Sequence, residues 1–199
     1  MPKPRIAALI LAAGSSSRMG VLKQLLPLQK TTLLEYVIKN VKSTDVDKVY
    51  CVIGAKAESI APYLNKHRVE TIINPNYKNG LSSSIKCGIE RINREHIDAI
   101  LIALGDQPLI PPAYFNELIA AYKAQQRKIV ATDYIGNFGV PIVIPKRYFS
   151  DLTKLKGDQG AKEFLNSQRD NIIGLKTETL FDVDTQEDYK ELINRVKKT

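Results

Sequence analysis

Apolar and polar positions alternate in blocks along the chain. Short runs of Ile, Val, Leu and Ala at Ile6–Leu11, Lys48–Gly54, Val69–Ile73, Ala99–Leu104, Ile129–Thr132, Pro141–Ile144 and Ile172–Leu175 have the length of strands. Between them lie segments with helical spacing. Thr31–Lys42 repeats apolar residues at Leu33, Leu34, Val37, Ile38 and Val41, one face of a helix. Further helices are predicted over Glu58–Lys66, Leu81–Asn93, from Pro111 and Pro112 to Tyr122, after Asp158, and from Thr185 to the end. Prolines at 111 and 112 suit a first helical turn, and Thr185 with Asp188 three residues on has the form of a capping box. Pro141 removes one ladder donor, which predicts an edge strand or a special bend. Helices between buried strands predict an open, mostly parallel sheet covered on both faces, a Rossmann-like three-layer α/β sandwich. Without a repeat, low-complexity tract or linker, residues 1–199 are expected to form one domain.

Composition narrows the class. A chain of 199 residues, 44% hydrophobic and 25% charged, can bury one compact core. No apolar run approaches the ~20 residues needed to span a bilayer. The basic start MPKPR leads into an apolar run and a glycine loop, not a cleavage site, so a soluble cytoplasmic protein with no membrane partner is expected. Cys51 and Cys87 lack metal-ligand spacing and read as packing residues. The net charge of +8 is scattered from Lys3 to Lys198 without dense clusters or interleaved aromatics. That distribution speaks for a small, highly anionic ligand and against nucleic acid.

In such a sheet ligands bind beyond the carboxyl ends of the strands, and four stretches there carry candidate chemistry. In LAAGSSSRMGVLKQLL, residues Ala12, Ala13 and Gly14 let backbone approach a ligand, while Arg18 and Lys23 add positive charge. A Walker A loop is excluded, since Val21 follows Gly20; a plain polar loop leading to a helix is the other reading. In LGDQP, Asp106 leaves a buried strand and could hold Mg²⁺ or cap a turn before Pro108. In FDVDT, Asp182 and Asp184 alternate, so one faces the site and the other is structural. In NPNYKNGLSSSI, Asn74 ends a strand, Gly80 relaxes a turn, Ser82 is expected to cap the helix and Ser84 to reach a ligand.

These strings, with GVPIVI, KGDQGAKEFL and DVDTQEDY, occur in an order that resembles the MobA-like nucleotidyltransferases, and within them the molybdenum cofactor cytidylyltransferases. The resemblance covers most of the chain and implies a sheet of the nucleotide-diphospho-sugar transferase type. It implies that Leu11, Ala12, Ala13, Gly14, Ser15, Ser16, Arg18 and Lys23 hold a nucleoside triphosphate. Asp106 would bind Mg²⁺, completed by Asp182 or Asp184, and Arg18, Lys23 and Asp106 would be the catalytic residues. Asn74, Gly80 and Ser84 match the part that meets base and ribose, while Gly139–Pro141 and Gly157–Ala161 match positions near the acceptor. SSSRMG, unlike the GGxSxRMG of the guanylyltransferases, favours CTP over GTP.

The implied reaction is direct displacement: a terminal phosphate oxygen of molybdopterin attacks the α-phosphorus of CTP and pyrophosphate leaves. An ionised phosphate acceptor needs no general base, in keeping with His67 and His96, which read as solvated surface residues. The implied partners are small-molecule substrates, with transient contact to a molybdenum hydroxylase. The alternatives are GTP as donor, a sugar or polyol phosphate as acceptor, or a non-catalytic nucleotide sensor or cofactor chaperone. Asp106 with the Asp182/Asp184 pair speaks against the last.

Overall fold

The computed structural model describes residues 3–157, 160–177 and 180–197. Nine strands are found there: β1 (Ile6–Ala12), β2 (Pro27–Leu28), β3 (Thr31–Thr32), β4 (Lys48–Ile53), β5 (Glu70–Ile73), β6 (Ala99–Leu104), β7 (Ile129–Tyr134), β8 (Asn137–Pro145) and β9 (Ile172–Leu175). The helices are α1 (Leu33–Lys42), α2 (Ala57–Lys66), α3 (Leu81–Ile92), α4 (Pro112–Ala124), α5 (Phe149–Leu152), α6 (Gly160–Ser167) and α7 (Gln186–Lys197). Among the described residues no helix is long and apolar enough to cross a membrane.

Seven strands form one sheet in the order β5-β4-β1-β6-β8-β7-β9, and β2 and β3 pair separately. β1 lies parallel between β4 and β6, with Ala12 opposite Ile53 and Leu11 opposite Leu104. Every residue of β1 is buried, as expected for a central strand covered on both faces. One apolar layer joins the sheet to α1, α2 and α4; the other joins it to α3, α5 and α6. The mostly parallel three-layer sandwich read from periodicity is what the chain forms.

β8 breaks the parallel order, running antiparallel to both β6 and β7. Pro141 therefore sits inside the sheet, not at an edge. The β7–β8 register jumps from Ala131 opposite Ile142 to Thr132 opposite Gly139, so Val140 and Pro141 fall in the gap of a bulge. There the missing proline N–H is not needed. The buried Thr132 hydroxyl donates to the Pro141 carbonyl at 2.8 Å and ties the bend down.

Local signals set the helix starts. Thr32 caps α1 reciprocally with Glu35. At α7, Asp188 N–H donates to Thr185 Oγ1 at 3.1 Å and Thr185 N–H to Asp188 Oδ2 at 2.7 Å, the predicted capping box. Ser82 differs from expectation: the residue before α3 is Gly80, at φ 87°, and no side chain caps that end. The predicted start of α6 at Asp158 lies outside the described residues. A third apolar cluster of Met19, Leu28, Leu33, Val183 and Leu192 packs the loop after β1 against α7. It brings two segments far apart in sequence to the same end of the sheet.

Candidate functional site

At the carboxyl ends of β1 and β6 a cleft of about 520 Å³ opens, lined by Leu11 through Ser15, Lys23, Gln24, Tyr77, Lys78, Gly80, Leu81, Ser84, Leu104, Gly105 and Asp106. Two glycines shape it. A Cβ on Gly14 would meet nothing within 4 Å, which leaves the backbone open to a ligand. A Cβ on Gly105 would lie 2.9 Å from Ala12 Cβ, so glycine there lets the end of β6 close on β1 and sets Asp106 beside the loop.

Gln24, which the sequence pattern does not single out, holds this loop. It is buried, and its amide donates to the carbonyls of Ala12 at 3.1 Å and Gly14 at 2.9 Å. Ser16 adopts the left-handed region at φ 54°, a conformation that costs an L-residue ~1–2 kcal/mol. Its hydroxyl donates to Gln24 Oε1 and accepts from Lys23 N–H, both at 3.2 Å, which offsets that cost. Nearby side chains thus carry the strain of the loop.

Lys23 lies at the centre of the charges. Its Nζ is 2.6 Å from Asp106 Oδ2 and 2.7 Å from Asp184 Oδ1. Burial alone would lower its pKa, yet the two carboxylates raise it above the ordinary lysine value. For Asp106, burial pushes the carboxyl up, Lys23 pulls it back, and Asp182 and Asp184 add like charge. Val183 N–H donates to the Asp106 carbonyl at 3.1 Å, which docks the Asp182–Asp184 segment against the end of β6.

The alternation of the two aspartates resolves into different neighbours. Asp182 is exposed and accepts from Gln107 Nε2 at 2.7 Å, whereas Asp184 reaches Lys23. Asp106 Oδ1 is buried without a hydrogen-bond partner, an open carboxylate oxygen of the kind a hard divalent cation takes. Among the described residues no three His, Cys, Asp or Glu side chains group closely enough to cage a metal. Such a cation would need further oxygens from a ligand, as Mg²⁺ commonly takes from phosphates.

The remaining predicted residues divide. Arg18 lies exposed on the short turn Ser17–Met19, outside the cleft lining. Asn74 is buried, its amide donating to Ser83 Oγ at 2.9 Å and Ser84 Oγ at 3.0 Å; it joins the end of β5 to α3 and does not line the cleft. Tyr77 and Lys78 do line it, within the NPNYKNG stretch but between the residues that the sequence singles out there. His67 is not a solvated residue: its side chain is 15% exposed and Nε2 lies 2.9 Å from Glu35 Oε1. His96 is exposed, and neither histidine lines the cleft.

A second cleft of about 360 Å³ shares Leu11 and Leu81 with the first. Its walls include Ile85, Ile102, Tyr134, Phe138, Gly139, Val140, Phe164 and Leu165, with Asn137, Lys162 and Asn166 as polar groups. Of the segments expected near an acceptor, Gly139, Val140 and Ala161 line it and Gly157 does not. Two ligands held in these clefts would meet at Leu11.

The family model described as the MobA-like NTP transferase domain matches residues 8–172. Purine catabolism protein PucB of Bacillus subtilis (strain 168) is 28% identical over 95% of this chain and 96% of its own length. The molybdenum cofactor cytidylyltransferase of Escherichia coli (strain K12) is 26% identical over 92% of this chain and 93% of its own. Among solved structures, Rv0371c from Mycobacterium tuberculosis H37Rv superposes with a TM-score of 0.85 at 26% identity, covering 98% of this chain and 100% of that one. The same mycobacterial protein has also been solved in complex with manganese. The sheet is that of the nucleotide-diphospho-sugar transferase fold.

Proposed function

The chain belongs to the MobA-like NTP transferase family, and from that premise we propose that it transfers CMP from CTP to the terminal phosphate of molybdopterin, releasing pyrophosphate. The observation that carries this reading is the Asp106–Lys23–Asp184 triad, with contacts of 2.6 and 2.7 Å, beside the open Gly14 loop. A cation, two carboxylates and exposed backbone at one cleft suit a polyphosphate and its counter-ion.

In this reading the nucleotide phosphates lie along Gly14 and Ser15, with Lys23 on the leaving pyrophosphate and the exposed Arg18 adding its charge from the neighbouring turn. Tyr77, Gly80 and Ser84 line the side where base and ribose would sit. Asp106 and Asp184 would hold Mg²⁺, with Asp182 keeping Gln107 in place. When bound, the ion supplies charge neutralisation across the phosphates.

The acceptor occupies the apolar second cleft and points its phosphate toward Leu11. One of its phosphate oxygens attacks the α-phosphorus; the bond to the bridging oxygen breaks and its electron pair leaves with pyrophosphate. The attacking oxygen is already ionised near neutral pH, so no base is required, consistent with a cleft that no histidine lines. Catalysis then rests on alignment and preorganised charge. The apolar wall also favours a flat heterocyclic acceptor over a polyol phosphate, whose hydroxyls would lose water without gaining partners.

Pyrophosphate release from CTP and GTP in parallel, with Mg²⁺ and molybdopterin, tests the proposal. Release with CTP alone, absent in Asp106→Ala, is expected. Preference for GTP would overturn the choice of nucleotide, and release only with a sugar or polyol phosphate would overturn the acceptor.

A further inference from the structure

The carboxylates proposed to hold a divalent cation already share an internal cation, one ammonium between two of them. Lys23 Nζ stands between Asp106 Oδ2 and Asp184 Oδ1 at 2.6 and 2.7 Å, and its side chain is only 13% exposed. A free divalent ion seeking these oxygens must displace the ammonium, leaving it part-buried without its two counter-charges, an unfavourable exchange. Nor do the described residues offer a third carboxylate, histidine or cysteine that would favour the ion.

A polyphosphate alters the balance. Lys23 lines the same cleft as Gly14 and Ser15, and its backbone is anchored through Ser16 while the side chain alone carries the charge. Phosphate oxygens at the Gly14 loop would give the ammonium a new anionic partner. They would also supply the oxygens that the carboxylates lack for a metal. The buried, unpartnered Asp106 Oδ1 is then available to the incoming ion.

We infer that Lys23 is the residue that makes metal binding conditional on nucleotide, by holding Asp106 and Asp184 until a triphosphate draws its ammonium away. This rests on the nucleotidyl-transfer reading of the cleft. The consequence is that the free protein excludes divalent ions and the metal enters with its nucleotide. Coupling of this kind commonly spans roughly 5- to 150-fold in affinity.

The test titrates Mn²⁺ into purified protein without nucleotide, following free Mn²⁺ by electron paramagnetic resonance. Lys23→Met and Lys23→Gln remove the charge; Lys23→Arg keeps a cation. Thermal unfolding of each confirms that it is folded. The two neutral variants are expected to bind Mn²⁺ about tenfold or more tightly than the wild type, and Lys23→Arg to stay close to it. Neutral variants that bind no better would overturn the inference, and so would tight Mn²⁺ binding by the wild-type protein alone, a result that needs no variant. Equilibrium dialysis of CTP with Mn²⁺ separates the two levels. If CTP binds but the neutral variants gain no metal affinity, the guarding role fails alone; if neither CTP nor GTP in its place binds, the nucleotide reading fails.

Discussion

Two carboxylates, the buried Glu35 and the part-buried Asp106, are finished in opposite ways. Glu35 is 3% exposed, and its Oε2 accepts from Thr31 Oγ1, Thr32 N–H and Thr32 Oγ1 at 2.8, 3.0 and 3.1 Å. Its Oε1 meets His67 at 2.9 Å and Lys66 at 3.2 Å. Burial works against the charge, yet these bonds hold the carboxyl down at about 2. Asp106 has one lysine, an unpartnered Oδ1 and like-charged neighbours, and burial pushes its carboxyl up. A carboxylate that only holds the fold together has every lone pair occupied; one left incomplete beside a cleft is available for chemistry. The difference separates stability from activity and can be broken from either side.

The largest effect is expected at Asp106. Asp106→Asn should lower transferase turnover on the order of 10³-fold, comparable to removing one preorganised electrostatic group, while the urea midpoint stays near that of the wild type. A large loss of stability in this variant would show that Asp106 serves the fold as Glu35 does. Glu35→Gln should do the reverse. It removes the charge from five contacts and should cost about 2–3 kcal/mol of stability by urea unfolding, with kcat/KM of the folded fraction nearly unchanged. Loss of activity in a stable Glu35→Gln protein would erase the contrast.

Gln24 tests whether the same logic extends to a neutral group. It has no charge to contribute, but its amide shapes the loop from Ala12 to Gly14. Gln24→Ala should raise KM for the nucleotide roughly tenfold, the equivalent of one net hydrogen bond at about 1.4 kcal/mol, with a smaller change in kcat. An unchanged KM would make Gln24 a packing residue only.

How far these roles could be read from the sequence depended on whether a residue's neighbours were local. The strands, the sheet and the loop from Leu11 to Lys23 follow from hydrophobic runs and from residues adjacent in the chain, and so does the Thr185 capping box. Asp106 was legible because it ends the apolar run of β6. Asp182 and Asp184 were indistinguishable, because their difference comes from Gln107 and Lys23, more than 70 positions away. Gln24 is not singled out by the sequence, because the carbonyls of Ala12 and Gly14 reach it only when the loop folds back over it. His67 likewise looked solvated because its partner Glu35 lies on another helix. Ser82 misled for a local reason: three successive serines leave the capping position ambiguous, and Gly80 at positive φ took it instead. Pro141 pointed correctly to a bend, but only the β7–β8 register shows that the bend lies inside the sheet.

The contrast that sharpens the comparison most directly is acid dependence. Glu35 has a folded pKa of about 2 against an ordinary value of 4.5. Well above pH 4.5 the carboxyl is ionised in both states and contributes no slope. Between 4.5 and about 2 the unfolded chain binds a proton that the folded one refuses, so stability falls as pH falls, by at most ~1.4 kcal/mol per pH unit. Asp106 has the opposite sign: a carboxyl pushed up by burial binds its proton more readily in the folded state, so acid favours folding at that site. Urea unfolding of wild type, Glu35→Gln and Asp106→Asn from pH 6 to pH 2.5 reads both contributions. The acid-side loss should be reduced in Glu35→Gln and undiminished in Asp106→Asn. Equal slopes in all three proteins would mean that the Thr31, Thr32, Lys66 and His67 contacts do not distinguish Glu35 from the other carboxylates of the chain, and the contrast with Asp106 would have to rest on activity alone.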